Sequence, residues 1–463
     1  MSALDRTMAI PHLREKLSVK TIRATVAKGP DVGQRAEGER VTVGSAEGNE
    51  LQLEDPTVSG YHLELVGTDR GIEVVDLSST NGTRYAGAWI RSVEVAPGVR
   101  LELGNTALEL DVGADAEVAL HPSDALGGIR GRSDGIRRMM AFIAKVADSH
   151  SSVLVIGESG TGKELVAQAL HEGSPRADGP FVTVDCGAMT AGLVRSELFG
   201  HERGAFTGAD RQHIGAFERA HGGTVMLDEI GELPAELQTT LLGVLERRRI
   251  RRVGGTQEIP IDVRVVAATN RDLRHEVNEA RFRLDLYYRL AVVPVRVPPL
   301  RDRTSDLPLL IDHFLRECGH DGPSALLFSP DHMRRLTAYG WPGNVRELRN
   351  LVEATVVTGE AQAPGFLALE GPASMASPGS SAAGFDEPTV ETDPATQREG
   401  APTLLVDYGL PYKEARAALL HRFEEEYLER LLEGAAGNVS KASRMAKMTR
   451  SHLFELLRRH GLR

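Results

Sequence analysis

Two short stretches of this 463-residue chain could act together on a phosphate. The first is Gly157-Glu158-Ser159-Gly160-Thr161-Gly162-Lys163-Glu164, which directly follows the apolar run Val153-Leu154-Val155-Ile156. Its spacing is that of a phosphate-binding loop. Glycines let backbone N–H groups close around phosphate oxygens, the following helix N-terminus adds positive potential, and Lys163 reaches the terminal phosphates. The general pattern continues with Ser or Thr as a magnesium ligand, where this chain has Glu164. The second stretch, Val225-Met226-Leu227-Asp228-Glu229, is an apolar strand ending in paired carboxylates. Carboxylates at the C-terminal end of a buried strand are costly unless they do work. Asp228 is the expected holder of magnesium, and Glu229 is expected to polarise the attacking water. On this reading the chain binds ATP with Mg2+ and hydrolyses it.

The elements that must position these groups follow from hydrophobic pattern. From about 126 to 358, apolar strands alternate with helical stretches, which predicts a parallel α/β sheet. From about 20 to 112, short β-type runs (Thr21–Val26, Tyr61–Val66, Ile72–Val75) are broken by Gly, Asn and Asp turns, which predicts an all-β sandwich. Residues 113 to 125 read as a short polar connector. Residues 359 to 405 hold Pro364, Pro372, Pro378, Pro388 and Pro394 among small and acidic residues, the composition of a flexible linker. Residues 411 to 463 read as helical. The expected fold class is therefore multidomain: an all-β sandwich, an α/β ATPase domain with a helical lid, and a small all-α domain.

Between the two halves of the phosphate site lies Gly204-Ala205-Phe206-Thr207-Gly208-Ala209. Gly204 and Gly208 leave the backbone mobile, Phe206 is a large apolar residue on a loop, and Thr207 adds a hydroxyl at the tip. This hexapeptide resembles the loop with which bacterial enhancer-binding activators push on the sigma-54 form of RNA polymerase. The octet GESGTGKE likewise resembles the phosphate loop of the enhancer-binding branch of AAA+ ATPases. Three further segments extend the resemblance. Val265–Arg271 is similar to the sensor that reads the γ-phosphate, with Thr269 and Asn270 as its candidates. Arg281–Leu290 resembles the segment carrying arginines that reach a neighbouring subunit's site, here Arg283 and Arg289. Trp341–Leu348 resembles the second sensor and places Arg346 on the nucleotide. The resemblance implies a self-assembled ring, usually a hexamer, because a neighbour completes each site. In the family the residue at position 185, often Asn and here Asp185, holds the catalytic glutamate away until the partner engages, and an Asp could serve there only through a different hydrogen-bond pattern.

The flanking modules carry resemblances of their own. Gly437–Ala446, a turn at Lys447-Met448 and a final helix from Thr449 are similar to a Fis-type helix-turn-helix. That likeness implies upstream enhancer DNA as a partner, with Arg450, Ser451 and His452 at the base edges and Lys441 at a phosphate. Val58–His62 and Asp76–Thr83 resemble the forkhead-associated sandwich that reads phosphothreonine, with Ser59 toward the phosphate and Asn81 toward the peptide backbone. The arginines usual in those loops are replaced by Ser45 and Gly60, and arginine is the residue for bidentate phosphate capture.

Composition agrees with separate tasks. The chain carries a net charge of −11, yet residues 437 to 463 hold seven Lys or Arg against one acid and residues 20 to 112 hold nine basic against fifteen acidic residues. Cys186 and Cys318 lack metal-ligand spacing, and no apolar run approaches a membrane span, so a cytoplasmic protein with no membrane partner is expected.

Overall fold

The computed structural model describes residues 15–365, other than 69, 321 and 362, together with Leu428 and Val439. Chain contacts divide the molecule into two units, 1–374 and 375–463. In the second unit Leu428 and Val439 are helical and buried. Lys441, Arg450, Ser451 and His452 lie outside the described residues, as do the expected linker from 366 onward and the other residues of the expected C-terminal domain.

The front of the first unit is a sandwich of two sheets. One sheet runs in the order Ser92–Val95, Ile72–Asp76, Leu63–Gly67, Arg40–Gly44, Leu51–Gln52; the other in the order Arg35–Gly38, Ile22–Lys28, Thr106–Val112, Val99–Leu103, Thr83–Tyr85, Ala88–Ile90. Alternating apolar residues from both sheets, among them Ala24, Val41, Val43, Leu65, Val74, Leu101 and Leu108, bury completely between them. The expected polar connector is more ordered than its composition suggests. Ala116–Ala119 pairs antiparallel with Lys16–Val19, closing the segment onto the start of the domain. Four residues of alternating exposure suffice when a partner strand is waiting, and local composition does not reveal the partner.

The α/β domain is built on five parallel strands in the order Phe181–Asp185, Thr224–Asp228, Arg264–Thr269, Val153–Ile156, Val293–Arg296. Both faces are covered, so the strands read as near-continuous apolar runs. The strand ending at Thr269 lies between the strand that feeds the phosphate loop and the strand that ends in Asp228. That order brings three otherwise distant segments together at the carboxyl ends of neighbouring strands. A helical lid follows, with Leu307–Glu317, Pro330–Ala338 and Asn344–Thr358 packed around the fully buried Trp341. Among the described residues no helix is long and apolar enough to cross a membrane.

Candidate functional site

Gly157 continues the strand Val153–Ile156 and ties the loop to the central strand by donating its N–H to the Thr269 carbonyl at 3.1 Å. The loop then turns on two glycines in the left-handed region, Gly160 at φ 76° and Gly162 at φ 101°. Gly162 caps the helix Lys163–Glu172, so the helix N-terminus faces the loop, and Glu164 sits exposed in its first turn. Gly160 has a second reason to be glycine: a Cβ there would come within 2.4 Å of the Gly343 carbonyl. The lid is pressed against the loop at that point, with Val345 N–H donating to the Gly160 carbonyl at 3.0 Å.

Lys163 is 7% exposed and donates to the Gly157 carbonyl at 3.1 Å and to the Glu229 carboxylate at 3.2 Å. The other Glu229 oxygen accepts from the Asn270 backbone N–H at 3.2 Å. Glu229 adopts φ 47°, an uncommon conformation for a non-glycine residue that points to a constrained site. Asp228 is half-buried, and burial pushes its carboxyl above the ordinary value near 3.8, with Glu229 adding to the effect against the Glu229 N–H that bonds to it. Thr269 is fully buried and its hydroxyl accepts from Arg271 N–H, while Asn270 is exposed beside Glu229. The phosphate loop, Asp228, Glu229, Thr269 and Asn270 thus meet at the carboxyl ends of three neighbouring strands.

Asp185 does not touch Glu229. Its carboxylate accepts from the N–H groups of Gly187 and Ala188 at 2.8 and 3.1 Å, closing its own turn. A carboxylate accepts hydrogen bonds and has no N–H to offer, so Asp185 cannot hold the Glu229 carboxylate as an asparagine amide could. Arg346 donates to the Ser159 hydroxyl at 3.0 Å, so the lid does bring it to the loop. Arg283 and Arg289 lie elsewhere: Arg283 forks onto Asp285 at 3.0 and 2.7 Å, and Arg289 donates to the Leu245 carbonyl at 3.2 Å.

Several contacts at the site had no sequence signal. Glu158 receives both arms of Arg301 at 2.8 and 2.6 Å and the Asn344 amide at 3.1 Å. Buried Arg303 donates to the Thr161 carbonyl at 3.1 Å, and burial pulls its guanidinium down to about 10. Ile129, Leu310, Phe314 and Val345 form an apolar recess beside Thr161 and Gly162. These partners come from the lid or, for Ile129, from the short hairpin pairing Ala125–Leu126 with Ile129–Arg130, more than a hundred residues away in most cases, beyond the reach of any local spacing rule.

The loop Gly204–Ala209 follows the helix Ala191–Phe199 in the chain. Gly204 and Gly208 have φ 80° and 96° with open space where a Cβ would point. Phe206 is 43% exposed and rests edge-on against His201, with ring centroids 4.9 Å apart; Thr207 is exposed and Ala209 is buried at the loop base. Arg252 braces that base by pairing with Glu202 at 2.9 Å and Glu218 at 2.6 Å. In the front sandwich, the Ser59 hydroxyl accepts from Thr80 N–H at 2.9 Å and Asn81 donates to the Thr57 carbonyl at 2.8 Å, so both tie loops together. His62 is fully buried and accepts from Ser59 N–H at 3.2 Å, a bracing position. Residues 44–49, 57–61 and 77–82 contain no Lys or Arg.

The model of the Sigma-54 interaction domain matches residues 129–296, which include the phosphate loop, the paired carboxylates and the loop at 204–209. That of the AAA+ ATPase lid domain matches residues 301–373. The DNA-binding transcriptional regulator NtrC of Azospirillum brasilense is 42% identical over 335 residues, covering 71% of this chain and 68% of the relative. The chain belongs to the family of sigma-54-dependent transcriptional regulators. Another relative, the regulatory protein AtoC of Escherichia coli, is 41% identical over 345 residues, covering 74% of this chain and 70% of its own length. NtrX from Brucella abortus aligns in three dimensions at TM-score 0.47 and 35% identity, over 72% of this chain and 69% of that one. Residues 25–112 match a family described as the inner membrane component of T3SS, cytoplasmic domain. An FHA domain from Chlamydia trachomatis aligns with 20% of the chain at TM-score 0.19 and 25% identity.

Proposed function

We propose that the α/β domain hydrolyses ATP and uses the cycle to remodel the closed complex of the sigma-54 polymerase through the loop at Gly204–Ala209. The observation that carries this is the meeting of Lys163 and Glu229 at 3.2 Å beside Asn270, with the exposed loop one helix away. Lys163 and the N–H groups of Gly157–Gly162 hold the phosphates, and the apolar recess at Ile129 and Val345 takes the base. Arrival of the γ-phosphate draws Lys163 away from Glu229 and frees that carboxylate to take a proton from the attacking water. Asn270 lies where it can orient that water, Thr269 anchors the strand beneath, and Arg346 with Ser159 closes the lid over the phosphates.

The donor set suits Mg2+. Asp228 offers one half-buried carboxylate whose charge a cation would stabilise. Among the described residues no three His, Cys, Asp or Glu form a cage, as fits an ion held by one carboxylate and substrate phosphates. When bound, the ion supplies neutralisation of charge on the terminal phosphates.

Arg283 and Arg289 do not reach their own subunit's phosphate loop, which supports a role across a subunit boundary in a ring, most simply a hexamer. Hydrolysis is passed to the loop through a short path. Asp185 and Asp228 are register partners in neighbouring strands, and the chain runs from Asp185 into the helix Ala191–Phe199 and then the loop. Phe206 and Thr207 meet the polymerase. The C-terminal module holds the ring to upstream DNA through Lys441, Arg450, Ser451 and His452, and the front sandwich regulates the ring. The decisive experiment is ATP-dependent open-complex formation on a sigma-54 promoter by the full chain. Open complex in the absence of nucleotide, or none with ATP under conditions where the chain hydrolyses it, would refute the coupling.

A further inference from the structure

The loop end of the front sandwich is already occupied. Its loops are drawn together there: Ser45 N–H donates to the Ser59 carbonyl and Ala46 N–H to the Gly60 carbonyl, both at 3.0 Å. Into this end runs the helix Leu273–Asn278 of the α/β domain. Its last residue, Asn278, donates to the carbonyls of Tyr61 and Leu77 at 2.5 and 2.8 Å and accepts from the Tyr61 N–H at 3.4 Å. To either side, His275 meets the Ser78 hydroxyl at 2.6 Å and the Tyr288 hydroxyl donates to the Glu47 carbonyl at 2.7 Å. These are directional contacts that satisfy loop backbone groups, as a bound peptide would.

Beside them lies an ion cluster that crosses the same boundary. Glu64, 6% exposed on the strand Leu63–Gly67, accepts from Arg274 at 2.6 Å and Arg296 at 2.9 Å and pairs with Arg40 of its own domain. Burial alone would raise the Glu64 carboxyl; Arg274, helped by Arg296 and Arg40, outweighs it and holds the group below its ordinary value. A buried charge that loses its partner is strongly unfavourable, so this cluster opens as a unit or stays shut. The clamped segment carries one candidate trans-acting arginine and ends immediately before the other. Arg283 lies between the anchors at Asn278 and Tyr288, Arg289 follows, and both guanidinium groups are spent on their own chain at Asp285 and Leu245.

We propose that the loop end of the sandwich is a binding surface for its own chain: it clamps residues 274–288 and keeps Arg283 and Arg289 parked, so that release raises ATP turnover. Asn278, which makes three of these contacts with the loop backbone, is neutral and polar, in keeping with loops that hold no Lys or Arg. The link to turnover rests on the reading of these arginines as acting on a neighbouring subunit; the clamp itself does not.

The test compares the full chain with Asn278→Ala and Glu64→Gln by hydrogen–deuterium exchange and by ATP turnover at matched oligomer size. Exchange at residues 273–290 and 57–62 is expected to rise together, severalfold, in either variant, while the strand Val153–Ile156 is unchanged and turnover rises severalfold. If Glu64→Gln does not fold, Tyr288→Phe replaces it, with a smaller rise in the same two segments. Unchanged exchange in Asn278→Ala would overturn the clamp, and raised exchange with turnover unchanged or lowered would overturn the parking of the arginines. A parent chain with no turnover at all would refute the ATPase reading instead, and exchange alone would then decide the clamp. A phosphothreonine peptide that protects residues 57–62 while exposing 273–290 would overturn the assignment of Asn278 as the ligand of this surface.

Discussion

Replacing Glu229 by Gln removes one negative charge 3.2 Å from the Lys163 ammonium while keeping the side chain's size. Two effects of opposite sign follow. At an effective dielectric constant of about 20, the Coulomb attraction at that distance is about 5 kcal/mol gross. Most of it is offset by desolvation, because Lys163 is 7% and Glu229 24% exposed at the side chain, and a net of about 1 kcal/mol is reasonable. That interaction competes with the γ-phosphate for Lys163, so Glu229→Gln should bind nucleotide about fivefold more tightly. Loss of the general base should meanwhile lower hydrolysis by about 10²- to 10⁴-fold. Equilibrium titration with a fluorescent ATP analogue gives the first number, and single-turnover hydrolysis at saturating ATP gives the second. Hydrolysis within about tenfold of the parent would refute the base assignment. Binding weakened rather than tightened would mean that the Lys163–Glu229 pair holds the phosphate loop in shape instead of competing with the substrate.

Thr207→Ala should leave ATP turnover near the parental rate and abolish open-complex formation; parallel loss of both activities would sink the idea of a dedicated contact loop. Arg283→Ala and Arg289→Ala should each bind nucleotide but hydrolyse it poorly, and mixing either with Glu229→Gln subunits should restore activity where an intact site meets an intact arginine. Gly160→Ala should detach the lid from the phosphate loop, since its Cβ would sit 2.4 Å from the Gly343 carbonyl at φ 76°. Left-handed strain of about 1 kcal/mol and a lost backbone bond of about 1 kcal/mol together imply nucleotide affinity lower by more than tenfold, measurable by titration. Because the Glu64 carboxyl is held below its ordinary value of 4.5, its contribution is complete above that pH and is lost as pH falls through the lower, folded value. The difference in Tm between the parent and Glu64→Gln should therefore be flat from about pH 5 to 8 and shrink below that range.

Much of the candidate site was legible because its chemistry is local. A phosphate loop needs glycines, a lysine and a helix start within eight consecutive residues, and paired carboxylates at the end of an apolar strand betray themselves by their cost. The alternation of apolar strands and helices likewise specified a parallel sheet, and period-two runs between turn residues specified the sandwich. What local pattern could not supply was which strand ends become neighbours. The sheet order places Thr269 between Lys163 and Asp228, and only that order lets Glu229 reach both Lys163 and the Asn270 N–H. Asp185 shows the limit from the other side: its position in a motif suggested a partner in Glu229, but its carboxylate faces two backbone N–H groups of its own turn and has no donor for the glutamate. Glu64 shows it most fully. In sequence it is one acid on a strand of an acidic domain; in the fold it is a buried carboxylate held by Arg274 and Arg296, more than two hundred residues away. Residue type and spacing determine which reactions a segment can support, because those depend on neighbours along the chain. Packing decides which of those groups meet, because burial and charge pairing depend on neighbours in space.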